Sequence, residues 1–172
     1  EHFSHHYQQD PLRLVMVGEK NNLAIFDDLT THRDAYIGAV EGDYNATSQH
    51  DLGKIVWPVV KEAIAGANKN AMLNLEKATH KHRVVSGIEA VVHSVETEKD
   101  SALYVEEDYH VKGSINKVDQ GLLISKEVDI SQVLDDVVDI IIEKVLVNNG
   151  KVIFLDSGSL TKHEKIALIL RD

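Results

Sequence analysis

The stretch 129-DISQVLDDVVDIIIEKVLVNNGKVIFLDSGSLTKHEKIALILRD-172 decides how the chain is read. It opens on an amphipathic helix expected over 130–147. Val133, Leu134, Val137, Val138, Ile141, Val145 and Leu146 recur at helical steps and make one wide apolar face. Asp135, Asp136, Asp139 and Glu143 make the opposite, acidic face. Asn148-Asn149-Gly150 ends the helix, with Asn149 or Gly150 suited to a left-handed cap. Val152-Ile153-Phe154-Leu155 is apolar throughout, which predicts a strand covered on both faces and therefore central. Ser157-Gly158-Ser159 turns the chain, and the apolar run 166–170 closes it. Helix, turn and apolar strand, coming after earlier strands, imply a mixed α/β sheet with helices on both faces.

Upstream, Leu12-Arg13-Leu14-Val15-Met16-Val17 reads as a strand, and Gly18-Glu19-Lys20-Asn21-Asn22 as a turn by composition. Leu23-Ala24-Ile25-Phe26 is then the returning strand, so 12–26 is expected to be a β-hairpin. A third short strand is expected over 36–40. Ser48 is placed to cap a helix whose first turn holds Asp51. Pro58 lacks an amide hydrogen and predicts a kink or a break into two helices. Val60, Ile64, Ala67, Ala71, Leu75 and Ala78 continue as a helical stripe. Ser86-Gly87 punctuates the chain. Ile88, Val91, Val92 and Val95 mark a short helix, 102–105 a strand, 111–120 a loop and 121–125 a further strand.

The chain has 172 residues, which fits a single domain on a prior of about 100–200 residues per domain. Hydrophobic residues make up 43% and aromatics only 5%, so the core must be built mainly from aliphatic side chains. There is no cysteine, which excludes a disulfide scaffold and a cysteine zinc site. No apolar run approaches the roughly 18 residues of a membrane span, and the polar, His-rich start is no signal peptide. The expectation is a cytoplasmic protein. A first residue of Glu1 rather than Met suggests the C-terminal part of something longer. The net charge of -10 is uneven. Residues 1–86 carry 9 Lys/Arg against 11 Asp/Glu, and residues 87–172 carry 9 against 17. Such a balance disfavours a general nucleic-acid binder and suits a basic protein partner or plain solubility.

Few residues suggest chemistry. Glu106, Asp108 and His110 would share one face if extended, and two carboxylates with an imidazole are a weak metal or proton-transfer candidate. The plainer reading is a polar strand end entering a loop. Lys69, Lys77 and Lys81, followed by His82 and Arg83, make a basic helix end that could meet RNA phosphates, or merely complement the helix dipole in solvent. His2, His5 and His6 have metal-compatible spacing, but a solvated turn explains them as well. The acidic set Asp135, Asp136, Asp139 and Glu143 is the candidate partner-binding face. No phosphate-binding glycine loop, H-E-x-x-H or G-x-S-x-G motif is present, so no cofactor and no catalytic residue are assigned.

Several pieces, taken in order, point to a family. They are Leu14-Val15-Met16-Val17-Gly18 with Leu23-Ala24-Ile25-Phe26, then Gly42-Asp43-Tyr44-Asn45, His50-Asp51-Leu52 and Trp57-Pro58. Leu103-Tyr104-Val105-Glu106-Glu107-Asp108-Tyr109 follows, and the ending is Asn149-Gly150-Lys151-Val152-Ile153-Phe154 with Ile166-Ala167-Leu168-Ile169-Leu170-Arg171. Spread over residues 11–172, the pattern resembles the C-terminal domain of bacterial relatives of the archaeo-eukaryotic release factors and Pelota. The resemblance implies a three-layer α/β/α sandwich with a mixed central sheet, related to ribosomal proteins that bind kink-turn RNA. It implies a non-catalytic module that docks a translational GTPase or the ribosome, with a role in rescue, hibernation or conflict. Peptide release would belong to a Gly-Gly-Gln loop of a preceding domain, and that tripeptide does not occur in this sequence. The chain departs from RNA-binding relatives in being acidic.

Overall fold

The structure, a computed structural model, describes residues 12–31, 33–115, 122–123 and 135–171. The chain divides into two compact units, Glu1–Asn70 and Ala71–Asp172.

In the first unit, β1 (Leu14–Gly18) is followed by α1 (Lys20–Leu29), a 3-10 turn (Arg33–Ala35) and β2 (Tyr36–Glu41). The expected hairpin over 12–26 does not form. Residues 20–29 are helical, and β2, not 23–26, pairs with β1, in parallel. The reason is side-chain spacing. Leu23 and Phe26, three apart, are the half-buried residues of α1, whereas Ala24 and Ile25 are exposed. In a strand Leu23 and Ile25 would share a face; in a helix Leu23 and Phe26 do. Parallel neighbours also need a crossover, which α1 supplies. The Phe26 and Tyr36 rings meet edge to face with centroids 5.1 Å apart.

The helix α2 (Gln49–His80) begins as the sequence predicts. The Ser48 hydroxyl accepts the Asp51 amide at 3.2 Å and donates to the Asp51 carboxylate at 2.8 Å. That hydroxyl, and then Lys54, hold the Asp51 carboxyl below its ordinary range. Pro58 lies inside α2 without ending it. The predicted stripe is only partly buried: Leu75 and Ala78 are in the core, whereas Ile64 and Ala67 are exposed.

The second unit takes the end of α2 and adds β3 (Val84–Ser86), α3 (Ile88–Val95), β4 (Ala102–Glu106), β5 (Lys112–Ile115), β6 (Leu122–Leu123), β7 (Asp135–Asp136), α4 (Val137–Val147), β8 (Lys151–Leu155) and β9 (Ile166–Ile169). Its main sheet has the order β3-β9-β4-β8. It is mixed: β9 is antiparallel to β3 and β4, while β4 and β8 are parallel. Alternation along the strands sorts side chains onto two faces. Leu103 and Val105 of β4, with Ile166 and Leu168 of β9, pack against Val91, Val92 and Val95 of α3 and Val137, Val138, Ile141 and Val145 of α4. Tyr104, Leu155 and Ala167 face the other way, onto Leu75 of α2 and Leu160. This is the three-layer α/β/α sandwich with a mixed sheet.

Three expectations change here. β8 is an edge strand rather than a central one, and Phe154 is 54% exposed. Its apolar run serves the helices above and below the sheet, not a strand on each side. Residues 112–115, expected in a loop, form β5, which pairs with β6 and β7. The last helix starts at Val137 rather than Ile130, because Asp135–Asp136 is extended and Asp136 is the cap. Residues 116–121 and 124–134, which carry the ends of the expected 121–125 strand as well as Val133 and Leu134, lie outside the described residues, as do His2, His5 and His6. No helix among the described residues is long and apolar enough to cross a membrane.

Candidate functional site

The carboxyl ends of β3, β4 and β8 lie at one edge of the main sheet, since β3 and β4 both run antiparallel to β9, and β8 runs with β4. That edge of an open α/β sheet is where ligands commonly sit. Both α3 and α4 begin there, and the polar side chains gather there in three groups.

The first group is centred on Asp136. It receives the amides of Val111 and Val138, both at 3.0 Å, and the Nδ1–H of His110 at 2.5 Å. Burial alone would raise its carboxyl. The hydrogen bonds from His110, Val111 and Val138, with the charge of His110, outweigh burial and hold it below its ordinary range. Asp136 therefore ties the loop after β4 to the start of α4, as a helix cap does. It is not part of an open acidic face. The second group is Glu106, which is 2% exposed and accepts the Leu160 amide at 2.8 Å. The third joins Ser86 to His163 Nδ1 through a 2.7 Å hydrogen bond. Burial, then the charge of Lys162, pushes the His163 imidazole down, so it is neutral at pH 7. Beside it, Glu164 and Lys165 both adopt left-handed backbone, and Lys165 Nζ lies 5.9 Å from the centre of the Tyr109 ring. The sequence reading missed this third group, because Ser86 and His163 are far apart in the chain.

The metal candidate does not assemble. β4 stops at Glu106, whose side chain is buried, whereas Asp108 and His110 are exposed beyond a turn. Among the described residues no three His, Asp or Glu side chains are grouped to hold a metal ion.

The basic candidates are spread along α2 and its exit. Lys69 is exposed in the first unit; Lys77, Lys81 and His82 are exposed in the second, and Arg83 is half-buried. The helix ends with His82 in the left-handed region, at φ 56°. The Arg83 and His82 amides return to Ala78 and Thr79 at 3.1 and 3.0 Å, a Schellman cap.

The outward face of α4 is open to solvent. Asp139, Glu143, Leu146 and Val147 fall on one helical face and are all exposed, Leu146 at 56% and Val147 at 75%. Lys144, on the flank, pairs with Glu96. Of the four expected acidic residues, Asp139 and Glu143 lie on this face, Asp136 is engaged as a cap, and Asp135 is in β7. The apolar pair extending the face was legible at helical spacing, but Leu146 reads as core because Val145 beside it is. In the first unit, a hollow of about 540 Å³ is lined by Met16, Leu23, Phe26, Tyr36, Ile37 and Ala39 among others, with Arg33 held by the Asp27 carbonyl at 2.8 Å.

Residues 1–99 match the sequence family described as bacterial archaeo-eukaryotic release factor family 3. The chain belongs to that family. Its fold is similar to the C-terminal domain of the peptide chain release factor from Methanosarcina mazei, with 21% identity and a TM-score of 0.54, over 73% of this chain and 96% of that one. Archaeoglobus fulgidus Pelota is matched at 16% identity and a TM-score of 0.49, over 92% of this chain and 48% of that one, so this chain spans about half its length. No curated protein matches. The family and the fold are those the resemblance implied.

Proposed function

We propose that this release-factor-family chain is a translation-related docking domain without catalysis of its own, which engages a translational GTPase or the ribosome through the outward face of α4. The observation that carries the reading is the combination on that face of two exposed acids, Asp139 and Glu143, with two exposed aliphatic side chains, Leu146 and Val147. Adjacent exposed apolar side chains rimmed by polar ones are the kind of patch that interaction sites use. The acids favour a basic partner and raise its rate of encounter. The polar groups at the carboxyl edge are spent on caps and loop ties, which fits a binding role. The test is co-sedimentation with ribosomes and gel filtration with a purified translational GTPase. Asp139→Lys with Glu143→Lys should weaken binding at low salt by about tenfold or more. Wild-type protein that binds neither would defeat the proposal.

A second reading, an RNA contact at the basic end of α2, rests on Lys77 and Lys81, which are exposed and have no ion-pair partner among the described residues. It predicts RNA affinity that falls steeply with salt and drops with Lys77→Glu plus Lys81→Glu.

A further inference from the structure

The outer edge of β8 has no strand beside it among the described residues, since β8 pairs only with β4. Which of its backbone groups are free follows from its bonds to the chain flanking β4. The Lys151 amide donates to the Ser101 carbonyl at 2.9 Å, and the Leu155 carbonyl accepts from the Glu107 amide at 3.0 Å. In a strand the N–H and C=O of one residue point to the same side, and the next residue points to the other. Lys151, Ile153 and Leu155 therefore face β4. Val152 and Phe154 turn their amide and carbonyl groups away from the sheet.

Exposed edges are normally blunted by charge, proline or a bulge. β8 has charge only at its two ends, Lys151 and the following Asp156, and none between. Phe154 is paired across the ladder with the core residue Val105, so its ring points to the α4 side of the sheet, and it is 54% exposed there. An outward backbone pair, one member of which carries an exposed aromatic ring, is what strand addition requires: main-chain hydrogen bonds for affinity and a side-chain anchor for specificity. Apart from Lys151 at the start of β8, the exposed charges on β8 and on the outward face of α4 are acidic. Asp156 is exposed at the end of β8, and α4, which packs on β8, exposes Asp139 and Glu143.

We infer that the partner docks by adding an extended segment to β8. The segment hydrogen-bonds to Val152 and Phe154, covers the Phe154 ring with an apolar side chain, and carries Lys or Arg beside that residue. The inference rests on the docking reading and names its mode. The experiment uses the full chain, isotope-labelled, with purified ribosomes and a purified translational GTPase as probes, and reads amide hydrogen exchange residue by residue. In the free protein the Val152 and Phe154 amides exchange rapidly while Ile153 is protected. On binding, Val152 and Phe154 slow by about tenfold or more. Phe154→Lys, which leaves the sheet ladder intact, lowers affinity, and Phe154→Pro, which removes an outward amide, lowers it further. Binding that leaves the Val152 and Phe154 amides fast and ignores both variants overturns strand addition while leaving docking in place. Absence of binding to either probe overturns docking itself, and strand addition with it.

Discussion

β4 and β8 are parallel neighbours of the same length, both largely apolar, yet the fold treats them differently. In β4, Leu103, Tyr104, Val105 and Glu106 are all buried. In β8 only Leu155 is fully buried, and Phe154 is more than half exposed. The contrast separates two causes of apolarity. A strand between two helical layers must be apolar on both faces wherever it stands in the sheet, but only its neighbours decide whether its backbone edge and outer side chains are covered. β4 has β9 and β8 on its two sides; among the described residues β8 has β4 alone. One is the centre of the core, and the other borders solvent.

The largest effect should come from the centre. Leu103→Ala removes a side chain with 0% exposure and should cost about 2–5 kcal/mol, measured by denaturant unfolding. A loss under about 1 kcal/mol would erase the distinction between the strands. Next is the turn that places β8. A methyl group on Gly150 would meet Val145 Cγ1 at 2.6 Å and the Ser101 carbonyl at 2.7 Å, so Gly150→Ala should cost about 1–3 kcal/mol in the same assay. Glu106→Ala, at the end of β4, strips the Leu160 amide of its buried acceptor and should cost about 1–3 kcal/mol. The smallest stability effect belongs to the edge: Phe154→Ala should change unfolding by about 1 kcal/mol or less, with its main consequence in partner binding.

A pH titration sharpens the account of the sheet's carboxyl edge. The Asp136 carboxyl is held down in the folded protein, so its contribution is complete above the unfolded value of about 4 and is lost as pH falls through the folded value. His163 is also held down, by burial. The unfolded chain therefore binds its proton first, and stability falls as pH drops below about 6.5 towards the folded value. Thermal melts from pH 7 to 3 should show two losses. His163→Gln should flatten the upper one, and Asp136→Asn the lower. A wild-type melt that is flat from pH 7 to 5 would remove His163 from the account.

Much of this architecture was legible in advance. Val91, Val92 and Val95 announced α3, Ser48 with Asp51 announced the start of α2, and Asn149 is indeed left-handed, at φ 60°. These signals are local: a period, a cap, a backbone preference. The candidate acidic face was half legible. Asp139 and Glu143 are exposed as their helical positions imply, but Asp136 is bound to His110 and Val111, partners that its own segment does not contain.

The sequence by itself determined a mixed α/β sandwich with an aliphatic core and a strongly acidic second half, because periodicity and composition act within a few residues of each position. Tertiary structure alone decided that 20–29 is a crossover helix and not a returning strand, that β8 is an edge, that Glu106 is buried under Leu160, and that Ser86 meets His163. Each of these depends on which distant segment lies alongside. A short apolar run suits a strand or a buried helix turn equally, and an apolar strand suits the centre or the edge of a sheet, until its neighbours are in place.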